Sequence, residues 1–137
     1  MFKSIIVAVA LDHENVASGL LDRAEKLVDP AGTIRVVTVV EPIPAYVTAE
    51  LPPEVFDSHV KAAEAALDAL AASRTTIPVV KELRLGGPAA EIMAAAEEHG
   101  ADLIMVASHK PGLSTYFIGS TAAKVTRHAQ CSVLVVR

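Results

Sequence analysis

The chain contains no tryptophan, and aromatic residues of all kinds make up only 4% of it. A core without large rings must be assembled from aliphatic side chains, and alanine, valine, leucine and isoleucine are abundant within an apolar share of 52%. There is a single cysteine, Cys131, so no intrachain disulfide can form, as expected of a reducing compartment. No apolar run approaches the roughly 20 residues that a membrane-spanning helix needs. The opening Met1-Phe2-Lys3-Ser4 leads straight into a strand-like segment and lacks the apolar stretch of a signal peptide, so a cytoplasmic location is expected. Excess positive charge is also missing. The formal net charge is −4, which argues against a nucleic-acid partner and against an anionic membrane surface. A small local positive patch stays compatible with a phosphate ligand. No internal repeat or low-complexity linker interrupts the 137 residues, a length that fits one domain, 1–137.

What is present is an alternation. Five short aliphatic runs occupy residues 4–10, 33–40, 79–85, 103–107 and 132–136. Most are nearly continuous in apolarity, the pattern of strands covered on both faces in a parallel sheet. The third run is interrupted by Lys81, Glu82 and Arg84 and reads as an edge strand, where charge deters edge-to-edge pairing. Between the runs lie helical stripes. Residues 14–28 align Ala17, Leu20, Leu21, Ala24, Leu27 and Val28. Residues 53–72 align Phe56, Val60, Ala63, Leu67 and Leu70, with Pro53 suited to a first turn. Residues 88–99 are stopped by Gly100, and residues 119–128 turn Ala122, Val125 and Ala129 inward. Strict β-α alternation predicts an α/β fold: a doubly wound, five-stranded parallel sheet of order 3-2-1-4-5 with helices on both faces. The long irregular segment 41–52, with Pro42, Pro44 and Pro52, follows a strand's C-terminal end, where it is placed to cover a ligand.

In open α/β sheets ligands bind beyond the C-terminal strand ends, where the strand order reverses. With order 3-2-1-4-5 that point lies between the first and fourth strands, so loops 10–15 and 107–121 matter most. The second loop carries phosphate-site chemistry. Gly119 sits where a helix begins, its first amides are unpaired and partly positive, and a glycine allows close approach of a phosphate. Ser120 and Thr121 add hydroxyls, Lys110 a mobile cation and His109 a donor. A Gly-Ser pair can equally just start a helix, and the residues alone leave both readings open.

The stretch from Leu103 to Arg137, LIMVASHKPGLSTYFIGSTAAKVTRHAQCSVLVVR, resembles the C-terminal signature of the universal stress protein family, and the resemblance runs from the IIVAV start to the VLVV end. Ser108-His109-Lys110-Pro111, then Gly119-Ser120, then Arg127-His128-Ala129 resemble its nucleotide-binding F/G-type subgroup. The resemblance implies an adenine nucleotide alpha hydrolase-like fold, an adenine nucleotide ligand (ATP or AMP, with Mg²⁺ as an option), a regulatory role in stress and a homodimer through the C-terminal strand. It places the phosphates on the backbone around Ala107, Ser108, His109 and Lys110 and on the Gly119, Ser120 and Thr121 amides. It places Val39 by the adenine, and Ala8 and Ala10 at the end of the first strand. The family pattern Gly-x2-Gly-x9-Gly-[Ser/Thr] is matched literally only at Gly119-Ser120. Ala107 and Lys110 replace the first two glycines, and the spacer is one residue shorter. Ala10 stands where the family usually has an Asp. Asp12, two residues on, either substitutes for it or caps the following helix. Loss of that carboxylate removes hydrogen bonds worth roughly 1.5–3 kcal/mol when charge-assisted.

The remaining chemistry-bearing residues read as structural. Cys131 beside a strand is expected to be a small core residue. His13, His59, His99, His109 and His128 include no metal-ligand spacing, so no metal site is expected, and His99 and His128 suit helix C-termini. Without a Walker lysine or a clear base, the chain is expected to act at most as a slow ATPase or autophosphorylating protein. A nucleotide-independent partner-binding module is the other alternative. The apolar last strand invites pairing with a second copy.

Overall fold

The computed structural model describes the chain apart from residues 12, 13, 43, 45, 47, 48, 75 and 109–118. Among the described residues five strands and four helices alternate: β1 (Phe2–Ala8), α1 (Glu14–Leu27), β2 (Val28–Val40), α2 (Pro53–Ala72), β3 (Val79–Leu85), α3 (Pro88–Glu98), β4 (Leu103–Ala107), α4 (Ser120–His128) and β5 (Ser132–Val136). The strands form one parallel sheet of order β3-β2-β1-β4-β5, as the alternation predicts.

Burial explains why the strands are continuously apolar. Ile5, Ile6 and Val7 of the central strand are all fully buried, with Ile5 and Val7 packed beneath α1 and α2 and Ile6 beneath α3 and α4. A period-2 ribbon buried on both faces has no solvent side to mark. Leu20, Leu21 and Ala24 of α1, Ala89, Ile92 and Ala95 of α3, and Ala122 and Val125 of α4 close the two layers. Each fully buried Leu or Ile contributes about 2 kcal/mol through the area it withdraws from water.

Three differences from the sequence pattern have physical causes. β1 begins at Phe2 rather than residue 4, because the Asp102 carboxylate accepts the Lys3 and Ser4 amides at 3.0 Å each and holds this end in the sheet. β2 begins at Val28 rather than residue 33. Phe2 pairs with Val28 and Ser4 with Thr33, and the Asp-Pro-Ala-Gly segment between is accommodated by an irregularity in which Asp29 accepts the Ala31 amide at 2.9 Å. Turn-forming residues concealed that strand extension. Finally, of the α2 stripe only Leu67 is buried, while Phe56, Val60, Ala63 and Leu70 are half-buried. This helix covers the β2–β3 side of the sheet, where edge strand β3 offers less surface.

Among the described residues two glycines adopt a positive φ. Gly86, which ends β3, has φ 146°, and Gly100, just past the His99 cap of α3, has φ 61°, the left-handed turn anticipated as that helix's stop.

Candidate functional site

The C-terminal ends of β1, β2 and β4 converge at the point where strand order reverses. Past Ala8 the chain leaves the ladder without leaving the sheet. The Val9 amide donates to the Val37 carbonyl at 2.9 Å, and the Thr38 hydroxyl donates to the Val9 carbonyl at 3.0 Å. Thr38 is one of two buried polar side chains among the described residues, the other being Ser108. The hydroxyl satisfies a carbonyl that the ladder abandons, and so fixes how the β1–α1 loop departs. Ala10 then emerges into solvent and brings no polar side-chain atom. Ala8 and Val39 are half-buried on the α3–α4 face of the sheet, whereas Ala107 packs on the α1–α2 face.

At the end of β4, the Ser108 amide donates to the Val136 carbonyl at 2.8 Å, and the Ser108 carbonyl accepts the Gly119 amide. The second bond brings both ends of the β4–α4 connection together. Gly119 is the N-cap of α4, with φ −62° and ψ 156°. No side chain caps the helix, and its first turn holds no acidic residue. The Gly119 carbonyl accepts the Ala123 amide at 2.9 Å, the first bond of the helix. The leading amides, starting with Ser120, therefore present the positive end of the helix dipole with no acid in their own turn. Basic residues sit at the other end, Arg127 and His128, where they complement the dipole. Ser120 is exposed, and Gly119 and Thr121 are half-buried.

The structure thus unites Ser108 with Gly119 and sets Ser120 and Thr121 at a helix start. It lines Ala8, Ala10, Val39 and Ala107 along neighbouring strand ends. Asp12, His109 and Lys110, the polar members of the expected set, lie outside the described residues. So do the candidate phosphoacceptors Ser114 and Thr115.

Sequence reading missed three features. Thr38 was hidden in an apolar run, although a lone hydroxyl in a buried strand was a usable signal. A cavity of about 280 Å³ opens beside Ala107 and Ser108 on the α1 side and reaches Val136 and Arg137, with neither Val39 nor Gly119 in its lining. On the opposite edge, Glu82, Glu98 and His99 bring ligand-type atoms within 4.8 Å of one another. The Arg84 guanidinium occupies that cluster, bonding Glu98 at 2.9 and 3.1 Å and Glu91 at 2.9 Å, so a cation already neutralises it. His99 Nε2 lies 3.2 Å from a Glu82 carboxylate oxygen, so His99 meets a carboxylate in addition to ending α3. Cys131 is half-buried, and burial pushes its thiol up, away from nucleophilic chemistry.

The family model described as the universal stress protein family matches residues 1–137. Universal stress protein G of Shigella flexneri is 31% identical over 142 residues, covering all of both chains. Among solved structures, universal stress protein UspA from Lactobacillus plantarum superposes with a TM-score of 0.78 at 22% identity, covering 98% of this chain and 97% of that one. The universal stress protein from Archaeoglobus fulgidus in complex with dAMP gives 0.62 at 18% identity and 98% of each chain. A universal stress protein in complex with cAMP gives 0.57 at 22% identity, over 99% of this chain and 97% of that one.

Proposed function

The chain belongs to the universal stress protein family, and from that premise we propose that it binds an adenine nucleotide as a regulatory protein, its residues 1–137 acting as one domain. The observation that carries this reading is the start of α4. Gly119 caps the helix without a side chain, no acid lies in the first turn, and the Gly119 amide bonds the Ser108 carbonyl, so the leading Ser120 and Thr121 amides begin beside the end of β4. Solved relatives in complex with dAMP and with cAMP support an adenine nucleotide as the ligand class. On this reading the phosphates of ATP or AMP, with Mg²⁺ where a polyphosphate requires it, lie on the Gly119–Ser120–Thr121 amides and the backbone from Ala107. Lys110 supplies a cation, and Val39 flanks the base. Ala10 contributes no ribose-binding carboxylate, which leaves the phosphate half of the site to provide most of the affinity.

The protein further acts as a cytoplasmic homodimer paired through β5. Binding is its main activity, and any ATP hydrolysis or autophosphorylation is slow at most.

Isothermal titration of the full chain with ATP, ADP and AMP tests the reading. The wild type binds at least one of the three, and Gly119→Val, whose branched side chain stands over the leading amides, binds about tenfold or more weakly, a loss of ~1.4 kcal/mol. Equal affinity in wild type and variant sinks the proposal.

A further inference from the structure

The cavity on the α1 side of β4 and β5 meets the residues assigned to the nucleotide at one end only. It shares Ala107 and Ser108 with them, but none of Ala8, Ala10, Val39, Gly119 or Thr121 lines it. Its volume, about 280 Å³, is just below the roughly 300–1,000 Å³ of sites that take drug-sized ligands. Its floor is aliphatic, formed by Val16 and Leu20 of α1 and Val136 of β5.

Its wall carries the Arg23 guanidinium, in a chain of net charge −4. Asn15, Gly19 and Arg23 follow one another at helical spacing along the α1 wall, and Arg137 also lines the cavity. The acids nearest Arg23 in sequence are engaged elsewhere: Asp22 and Glu25 both face Arg74, at 2.5 and 3.7 Å. Among the described residues no carboxylate lies within 4.0 Å of Arg23, and its guanidinium donates only to the Gly19 carbonyl, at 3.2 Å. Four donor sites remain on a planar fork suited to a carboxylate.

Gly19 supplies an independent observation. Glycine inside a helix is destabilising relative to alanine. Neither backbone nor packing demands it here, because Gly19 does not have a positive φ, and an added Cβ would meet nothing nearer than Arg23 Nη1 at 3.6 Å. What the missing side chain leaves is space in the cavity wall beside that guanidinium.

We propose that this cavity is a binding site for a small organic carboxylate with an apolar body. The head pairs with Arg23, and the body lies on Val16, Leu20 and Val136. A bare inorganic anion would leave that floor wetted, whereas an uncharged apolar molecule would leave the guanidinium unanswered. The site is distinct from that proposed for the nucleotide and stands or falls apart from it.

Proton–nitrogen NMR of the uniformly labelled full chain tests this, with hexanoate, 1-hexanol and inorganic phosphate as probes. Hexanoate is expected to shift the amides of Asn15, Gly19, Leu20 and Val136 saturably, while 1-hexanol and phosphate each bind about tenfold or more weakly. Arg23→Gln is expected to weaken hexanoate by a similar factor. Gly19→Leu, which fills the wall, should abolish the shifts while keeping the dispersed spectrum of a folded protein. Absence of saturable shifts with hexanoate overturns the proposal. So does unchanged affinity in Arg23→Gln, or phosphate binding as tightly as hexanoate. Adding AMP to the hexanoate-saturated protein separates the two sites. Additive shifts support a second site, and displacement of hexanoate by AMP makes the cavity part of the nucleotide site and overturns it.

Discussion

The two edges of the sheet solve the same problem in opposite ways. β3 is an exposed edge with apolar side chains still in view, Val80 at 39% and Leu85 at 51% exposed. Charges alternate with them, and most are anchored. Lys81 pairs with Asp68 of α2. Glu82 meets Arg35 at 4.0 Å and His99 at 3.2 Å. Arg84 reaches Glu91 and Glu98 of α3, both at 2.9 Å. β5 is Ser-Val-Leu-Val-Val, without a charged residue, and its four aliphatic side chains are each half-buried. One edge is thus closed to further pairing by charge, and the other is left as a template. The Val136 carbonyl accepts from Ser108 on β4. By the alternation of a strand, Val133 and Val135 therefore point their backbone groups to the free side.

The largest expected effect comes from breaking the open edge. Val135→Pro removes a donor that faces away from β4, so β5 should remain in the sheet while losing the second copy proposed to pair with it. Sedimentation equilibrium should show the dimer dissociation constant rising about a hundredfold, ~2.7 kcal/mol. Dimers of unchanged strength would mean that the two edges do not differ in function. Next is the closed edge. Arg84→Ala leaves three carboxylates, Glu82, Glu91 and Glu98, without their shared cation and should cost about 1–2 kcal/mol in urea denaturation, discounted for solvent screening. The hydrogen bond from Arg84 holds the Glu98 carboxyl below its usual range, and Glu98 and then Glu91 raise Arg84, so the Arg84–Glu98 pair stays ionised throughout the ordinary pH range.

A reference from the middle of the sheet sharpens the contrast. The Lys3 amide, and after it the Ser4 amide, lowers the Asp102 carboxyl below its ordinary value. An acid depressed by folding stabilises the native state above its unfolded value, and that stabilisation is lost as pH falls through the folded value. Asp102→Asn should cost about 1 kcal/mol at neutral pH. The difference from wild type should shrink on acidification, as followed by thermal melts between neutral and strongly acidic pH. A difference that grows on acidification would contradict the assignment. The smallest effect belongs to Lys81→Ala. Its pair with Asp68 joins side chains 50% and 58% exposed, so the loss should stay below about 0.5 kcal/mol. Light scattering near the variant's solubility limit should nevertheless rise, since a charge on the closed edge works against association more than for stability.

Most of the architecture was legible because it rests on periodicity. Ile5-Ile6-Val7 and Leu103-Ile104-Met105-Val106 cannot be anything but doubly covered strands once helical stripes flank them. The extension of β2 back to Val28 was not legible. Asp29, Pro30 and Gly32 carry turn chemistry, and only a partner, Phe2 with its neighbours pinned by Asp102, holds them beside the sheet. The start of α4 was readable from Gly119-Ser120 because a helix terminus is a local feature. The cavity at Arg23 was not. It depends on Asp22 and Glu25 turning toward Arg74, a residue some fifty positions away, and no spacing within α1 records that choice.

The bond from the Gly119 amide to the Ser108 carbonyl has a bearing on how such a protein can change over evolutionary time. It staples the two ends of the segment 109–118, so β4 and α4 are positioned without reference to how many residues run between them. Closing a loop costs only about 0.6 kcal/mol more for each doubling of its length. Insertions and deletions in this stretch are therefore nearly neutral for folding, so its length is free to vary on a scaffold that stays fixed.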